Sequence, residues 1–213
     1  MRTALIAGAS GLVGRELTKK LINSDQYSLI YIISRKKSGL VDEKIREIVI
    51  DFERINELSF EEPVEDLFCT LGTTMKKAGS RENFKKVDYE YVVAFARLGK
   101  RIGASKFLVI SSMGANPKSM VFYNSIKGKT EEALINIGFK QLVILRPSLL
   151  LGKRSEKRFA ERLSGFIMKY LNFLIPDNYK AIRAEKVAGF MLKMALKSTG
   201  TVSLVKSGDM IRN

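Results

Sequence analysis

The chain has 213 residues, 46% hydrophobic and 28% charged, a balance that excludes wholesale disorder and a collagen-like repeat. Lys and Arg number 37 against 22 Asp and Glu, a formal charge of +15 whose field attracts polyanions. With no histidine and the single cysteine Cys69, the chain cannot use Ser-His or Cys-His catalysis, a disulfide framework or a multi-cysteine metal site, so no metal is expected.

Apolar runs alternate with helix-period segments from one end to the other. Thr3–Ala7 is a short unbroken apolar run, as in a strand buried on both faces. Leu12, Val13, Leu17, Leu21 and Ile22 then fall on one helical face within Gly11–Asn23. Ser28–Ser34, Ile45–Ile50 and Asp66–Leu71 read as the next strands, and Ser80–Arg101 as one long helix. Beyond it lie a strand at Phe107–Ile110, a helix at Tyr123–Ile137 and a strand at Gln141–Leu145. Helical stretches at Phe159–Phe173 and Ala184–Leu196 and a strand at Thr201–Val205 complete the series. Such alternation implies a parallel sheet with crossover connections. The expected fold is α/β, a doubly wound parallel sheet of six or seven strands. It forms one domain over residues 1–213, of which 152–213 make a small substrate or lid region with a short helical part.

No apolar stretch nears the roughly 20 residues of a spanning helix, and no secretory signal is read, so the expected location is the cytoplasm. Basic residues occur as scattered pairs such as Lys19-Lys20 and Lys85-Lys86 rather than one dense block, which favours a solvated basic surface over a nucleic-acid arm. Phe159–Phe173 is amphipathic and rich in Phe; core, lid, partner-binding face and membrane-surface helix are all open to it. Cys69 reads as an inert core residue.

The sharpest signal is Gly8-Ala9-Ser10-Gly11-Leu12-Val13-Gly14, where the first strand passes into the first helix. Glycines there permit a tight turn, close approach of backbone to a pyrophosphate and close helix–strand packing, while the helix N-terminus offers free N–H groups. The spacing is G-x-x-G-x-x-G, a departure from the commoner G-x-G-x-x-G. At the end of the second strand stand Ser34-Arg35-Lys36-Lys37, with no carboxylate until Asp42. An acid there suits a ribose 2′-hydroxyl and an arginine suits a 2′-phosphate, so Arg35, Ser34 and Lys36 select NADP(H) over NAD(H). Asp51 and Phe52, just past the third strand, are candidates for the adenine, although an Asp in a loop is also a common cap.

Tyr123 and Lys127 are four apart on one helix and share a face. A tyrosine phenol titrates near about 10, and an adjacent ammonium lowers that value, which makes the phenol a usable general acid/base. The same lysine can bind nicotinamide ribose hydroxyls. A serine of Ser111-Ser112, at the end of the fifth strand, can polarise a substrate carbonyl.

These residues resemble those of the short-chain dehydrogenase/reductases, in particular atypical members similar to the Tat-interactive-protein-like oxidoreductases. The matching motifs are Cys69-Thr70-Leu71-Gly72-Thr73-Thr74, Lys77-Ala78-Gly79, Val87-Asp88, Ser111-Ser112, Tyr123, Lys127-Gly128 and Arg146-Pro147, within a likeness from Ala4 to about Val187. The resemblance implies a Rossmann fold binding NADP(H), with Tyr123 as proton donor, Lys127 assisting and Ser112, ahead of Ser111, as the polarising serine. It also sets Leu71, Gly72 and Thr73 along the cofactor, and Pro147 and Ser148 at its nicotinamide end. Two departures stand out: Asp88 where larger relatives often carry asparagine, and a shorter C-terminal region.

Three functions follow in order. The first is an NADP(H)-dependent oxidoreductase acting on an unidentified carbonyl or alcohol. The second is a non-catalytic NADP(H)-binding regulatory protein. The third, a nucleic-acid or anionic-surface binder, rests on charge alone, and no aromatic-rich basic motif supports it. Substrate, reaction direction and oligomeric state, a homodimer included, stay open.

Overall fold

A computed structural model describes residues 1–152, 176–197 and 200–212. Its main sheet has strands β1 (Arg2–Ala7), β2 (Tyr27–Ser34), β3 (Ile45–Val49), β4 (Asp66–Cys69), β5 (Lys106–Ile110) and β6 (Gln141–Arg146). A separate pair, β7 (Leu150–Leu151) and β8 (Ile182–Arg183), precedes the last strand of the main sheet, β9 (Val202–Lys206). All pairings are parallel, in the order β3-β2-β1-β4-β5-β6-β9, which gives the Rossmann-type doubly wound sheet with seven strands.

The apolar strands have two faces to bury. Side chains alternate across the sheet, so Ala4 and Ile6 join one core while Leu5 and Ala7 join the other. Helices α1 (Leu12–Ile22) and, further along the chain, Ala184–Leu196 cover the first face through Leu17, Leu21, Val187 and Met191. The opposite face is covered from Tyr91–Arg101 through Val92, Phe95 and Leu98, and from Phe122–Ile137 through Leu134.

The stretch expected as one helix is divided in three. After the short α2 (Met75–Ala78), α3 (Arg81–Lys85) runs into a π-helical turn, Lys86–Glu90, and then into α4 (Tyr91–Arg101). A π turn accommodates an extra residue without breaking the apolar face, so periodicity passes over it. The remaining helices are α5 (Phe122–Ile137), α6 (Ala184–Leu196) and α7 (Ser207–Arg212). The helix expected at 159–173 lies outside the described residues.

At the N-terminal end of the sheet, buried Asp66 pairs with Arg2 at 2.5 Å and accepts the Tyr27 hydroxyl at 2.6 Å. Burial raises the pKa of both Asp66 and Tyr27. At the opposite end, β1 is flanked by β2 on one side and β4 on the other, so the chain order reverses there. Crevices for ligands open at such a switch point, beyond the C-terminal ends of the strands.

Candidate active site

At that switch point the glycine turn leans on the end of β4. Gly8 has φ +92°, and a Cβ on it would stand 2.6 Å from the Thr70 carbonyl carbon. A Cβ on Gly14 would lie 2.2 Å from the Gly8 oxygen, so α1 can begin here only without a side chain at that position. The Gly11 amide donates to the Gly8 carbonyl at 2.9 Å and closes the turn. Gly8, Ser10 and Gly11 face a cavity of about 500 Å³, whose far wall is formed by Leu71, Gly72 and Thr73. Val13 is buried in the core beneath, while Leu12 is exposed and reaches toward Gly152. A cradle of bare backbone beside a helix start fits a pyrophosphate.

Arg35 is exposed at the rim of this cavity and has no ion pair or hydrogen bond among the described residues. Lys36 next to it is exposed as well. Ser34 is turned inward: its hydroxyl lies 2.8 Å from the Lys36 carbonyl and 3.0 Å from Glu47 Oε1. Glu47 also accepts the Ser38 amide at 2.6 Å and so braces the turn. This acid is not visible at the strand end in the sequence because Glu47 arrives from β3, in register with Ile32. Asp51 caps the 3-10 turn Phe52–Glu57 by accepting from the Glu53 amide at 3.1 Å. Phe52 is 3% exposed and packs on Tyr91 at 5.2 Å, and Tyr91 in turn lines the cavity.

Tyr123 and Lys127 occupy the first two turns of α5. The Tyr123 ring is half-buried and lies 5.3 Å from Phe84. Lys127 is buried with its Nζ 2.8 Å from Asp88 Oδ1, and Asp88 Oδ2 accepts the Thr73 amide at 2.8 Å. Burial alone would lower the lysine pKa, but the attraction of Asp88, followed by that of Tyr123, outweighs it and holds the pKa above the ordinary value.

One turn further along α5, Glu131 accepts from Ser111 Oγ and is gripped by Arg146, whose Nε lies 3.0 Å from Oε1 and whose second nitrogen reaches Oε2. Ser112 differs: its hydroxyl is buried and has no partner among the described residues. Pro147 is buried, and its carbonyl accepts the Met113 amide at 3.2 Å. The Ser148 hydroxyl is taken up by the Lys180 carbonyl and by Ser207 Oγ at 2.9 Å. Sequence reasoning passed over Glu131, although the spacing Tyr123, Lys127, Glu131 places all three on one helical face. Also given no site role were Lys77, known only from a matching motif, and Asn83, Lys86 and Tyr91; all four line the cavity from elements brought over the end of β4.

The strand order and the glycine turn define a protein with the Rossmann fold. The chain belongs to the HIM1 family, whose model matches residues 29–174. It is 34% identical over 174 residues to Protein FMP52-1, mitochondrial, of Scheffersomyces stipitis, covering 80% of this chain and 77% of that one. It is 35% identical over 167 residues to Protein HTATIP2 of Rattus norvegicus, with 76% and 69% covered. Solved structures share the fold at much lower identity. MoeE5 in complex with UDP-glucose and NAD superposes with a TM-score of 0.73 at 14% identity, over 99% of this chain and 80% of that one. A short-chain dehydrogenase/reductase family oxidoreductase from Burkholderia thailandensis gives 0.69 at 16%, over 100% and 93%.

The expected cytoplasmic location does not stand, because the fungal relatives are named mitochondrial. That expectation rests on a secretory signal and a spanning helix alone, and neither bears on an organelle address. Among the described residues, no helix is long and apolar enough to cross a membrane.

Proposed function

We propose that the chain is an NADP(H)-dependent oxidoreductase acting on a carbonyl or alcohol. The observation that carries this reading is Ser112 Oγ, a buried hydroxyl with no partner among the described residues, next to a strand end that faces the Tyr–Lys helix. A buried polar group left unpaired costs on the order of 1–3 kcal/mol, which a substrate oxygen would recover. Bound NADP(H) supplies the hydride. Ser112 donates to the substrate oxygen and orients it, and Tyr123 gives or takes the proton at that oxygen. Lys127 assists the phenol and binds the nicotinamide ribose hydroxyls. The turn Gly8–Gly14 with Leu71, Gly72 and Thr73 carries the dinucleotide backbone, and Arg35, free at the rim, meets the 2′-phosphate. Residues 152–213 contribute to the substrate side, with Pro147 and Ser148 at its border.

Parallel calorimetric titrations with NADPH and NADH test the cofactor: tighter NADPH binding is expected, and tighter NADH binding overturns the role of Arg35. Tyr123→Phe is expected to abolish NADPH-dependent carbonyl reduction while NADPH binding persists. An unchanged rate removes the assignment. A second reading, a non-catalytic NADP(H)-binding regulatory protein, draws on the Asp88–Lys127 pair, which takes up lysine charge that would otherwise act on Tyr123. NADPH binding with no turnover across a broad carbonyl screen favours it.

A further inference from the structure

Asp88 lies in the π turn between α3 and α4, a type of distortion often found at functional sites. Its side chain is fully buried and that of Lys127 is 7% exposed, so neither charge is shielded by water. One carboxylate oxygen takes the Thr73 amide at 2.8 Å. The other lies 2.8 Å from the Lys127 ammonium, a buried ion pair. The Asp88 carbonyl accepts from Thr130 Oγ1 at 2.9 Å, which fixes the turn to α5 beside Lys127.

We propose that Asp88 is a positioning residue that offsets the charge of Lys127 at Tyr123 and ties the lysine to the loop at Gly72-Thr73; this rests on the acid/base role given to Tyr123 above. A lone buried ammonium would draw the phenol strongly toward its ionised form. With a carboxylate in contact, Tyr123 feels the difference of two opposed terms, which is smaller and falls off faster with distance. Three neighbouring groups are already engaged or neutral. Cys69 on β4 has a thiol pushed up to about 12 by burial and is uncharged near neutral pH. Glu131 on α5 is bound to Arg146 of β6 and to Ser111. Arg81 of α3 lies over the Phe122 ring, 5.2 Å from its centroid. Asp88 is thus the buried carboxylate in contact with Lys127. Through Thr73 it also reaches the cavity wall, so cofactor-side backbone and proton-transfer residue share one support.

The test is an NMR titration of the Tyr123 phenol and the Lys127 amine, assigned through Tyr123→Phe, in the wild type and in Asp88→Asn. The variant keeps an acceptor for the Thr73 amide and removes the charge. Its first ionisation in the Tyr123–Lys127 pair is expected to fall by roughly one pH unit. A titration that stays in place or rises overturns the proposal, since a purely structural tie would not move it. Because Asp88→Asn leaves a buried ammonium unpaired, the wild type supplies a second arm. There Lys127 is expected to stay protonated above pH 10.5, and ionisation below that value overturns the proposal. NADPH titrations on the same samples keep the two readings apart. Loss of wild-type NADPH binding refutes the proposed function, whereas binding with an unmoved Tyr123 titration refutes only the role of Asp88.

Discussion

Ser111 and Ser112 are adjacent at the end of β5 and have opposite surroundings. The Ser111 hydroxyl donates to Glu131, whereas the Ser112 hydroxyl is buried with no partner among the described residues. Ser112→Ala is therefore expected to lower turnover roughly 10²-fold with NADPH binding retained, as loss of one oxyanion donor does. Ser111→Ala should instead lower stability by about 1 kcal/mol by removing one of the two donors to Glu131 Oε1, the Arg146 contact remaining. Steady-state kinetics and urea unfolding of the two variants, read side by side, check the division.

Glu131 is held by Arg146 in a two-pronged contact, with the carboxylate side chain 6% exposed and the guanidinium side chain 24% exposed. Removing the cation strands a buried charge. Arg146→Met is expected to cost about 3 kcal/mol, and the Arg146→Met, Glu131→Gln double variant less than that. Chemical denaturation at pH 7 measures both.

Arg35 has no partner among the described residues, so its removal should disturb ligand binding and little else. Arg35→Ala is expected to weaken NADPH at least tenfold and leave NADH within about twofold, given the strength of charge-assisted contacts to phosphate. Calorimetry with both nucleotides reads the ratio, and equal losses for both would contradict it.

A methyl group on Gly14 would strike the Gly8 carbonyl at 2.2 Å, which is backbone and cannot swing aside. Gly14→Ala should lower stability by about 2 kcal/mol and reduce binding of both nucleotides together. Retained binding with unchanged melting would show that the turn is looser than its contacts imply.

Cys69 is fully buried, and burial pushes its thiol from 9.0 up to about 12. A folded pKa above the unfolded one stabilises the fold fully below pH 9.0, and that contribution drains away as pH rises toward about 12. Tyr27 and Lys127 are shifted in the same direction and add to the alkaline loss. Melting temperatures from pH 8 to 12 should fall more gently in Cys69→Ala than in the wild type. At pH 8 a disulfide reagent should label the native thiol only through unfolding.

The parts legible in the sequence were those carried by near neighbours along the chain. The unbroken apolar run of β1, the glycines at positions 8, 11 and 14, and the four-residue step from Tyr123 to Lys127 each complete a pattern within one turn or strand, and the sheet follows from their alternation. The π turn escaped because an extra residue in a helix leaves its apolar face continuous. Glu47 escaped because it reaches Ser34 from the neighbouring strand.

Tertiary structure decided which polar groups are satisfied and which are left over. Asp88 meets Lys127, Arg146 meets Glu131 and Ser111 is consumed while Ser112 is spared, because strand register and helix docking bring distant segments within 3 Å or so of each other. Residue types and local spacing set where a helix or strand forms. Electrostatic attraction and hydrogen bonding act at contact distance, and only the folded chain sets those distances.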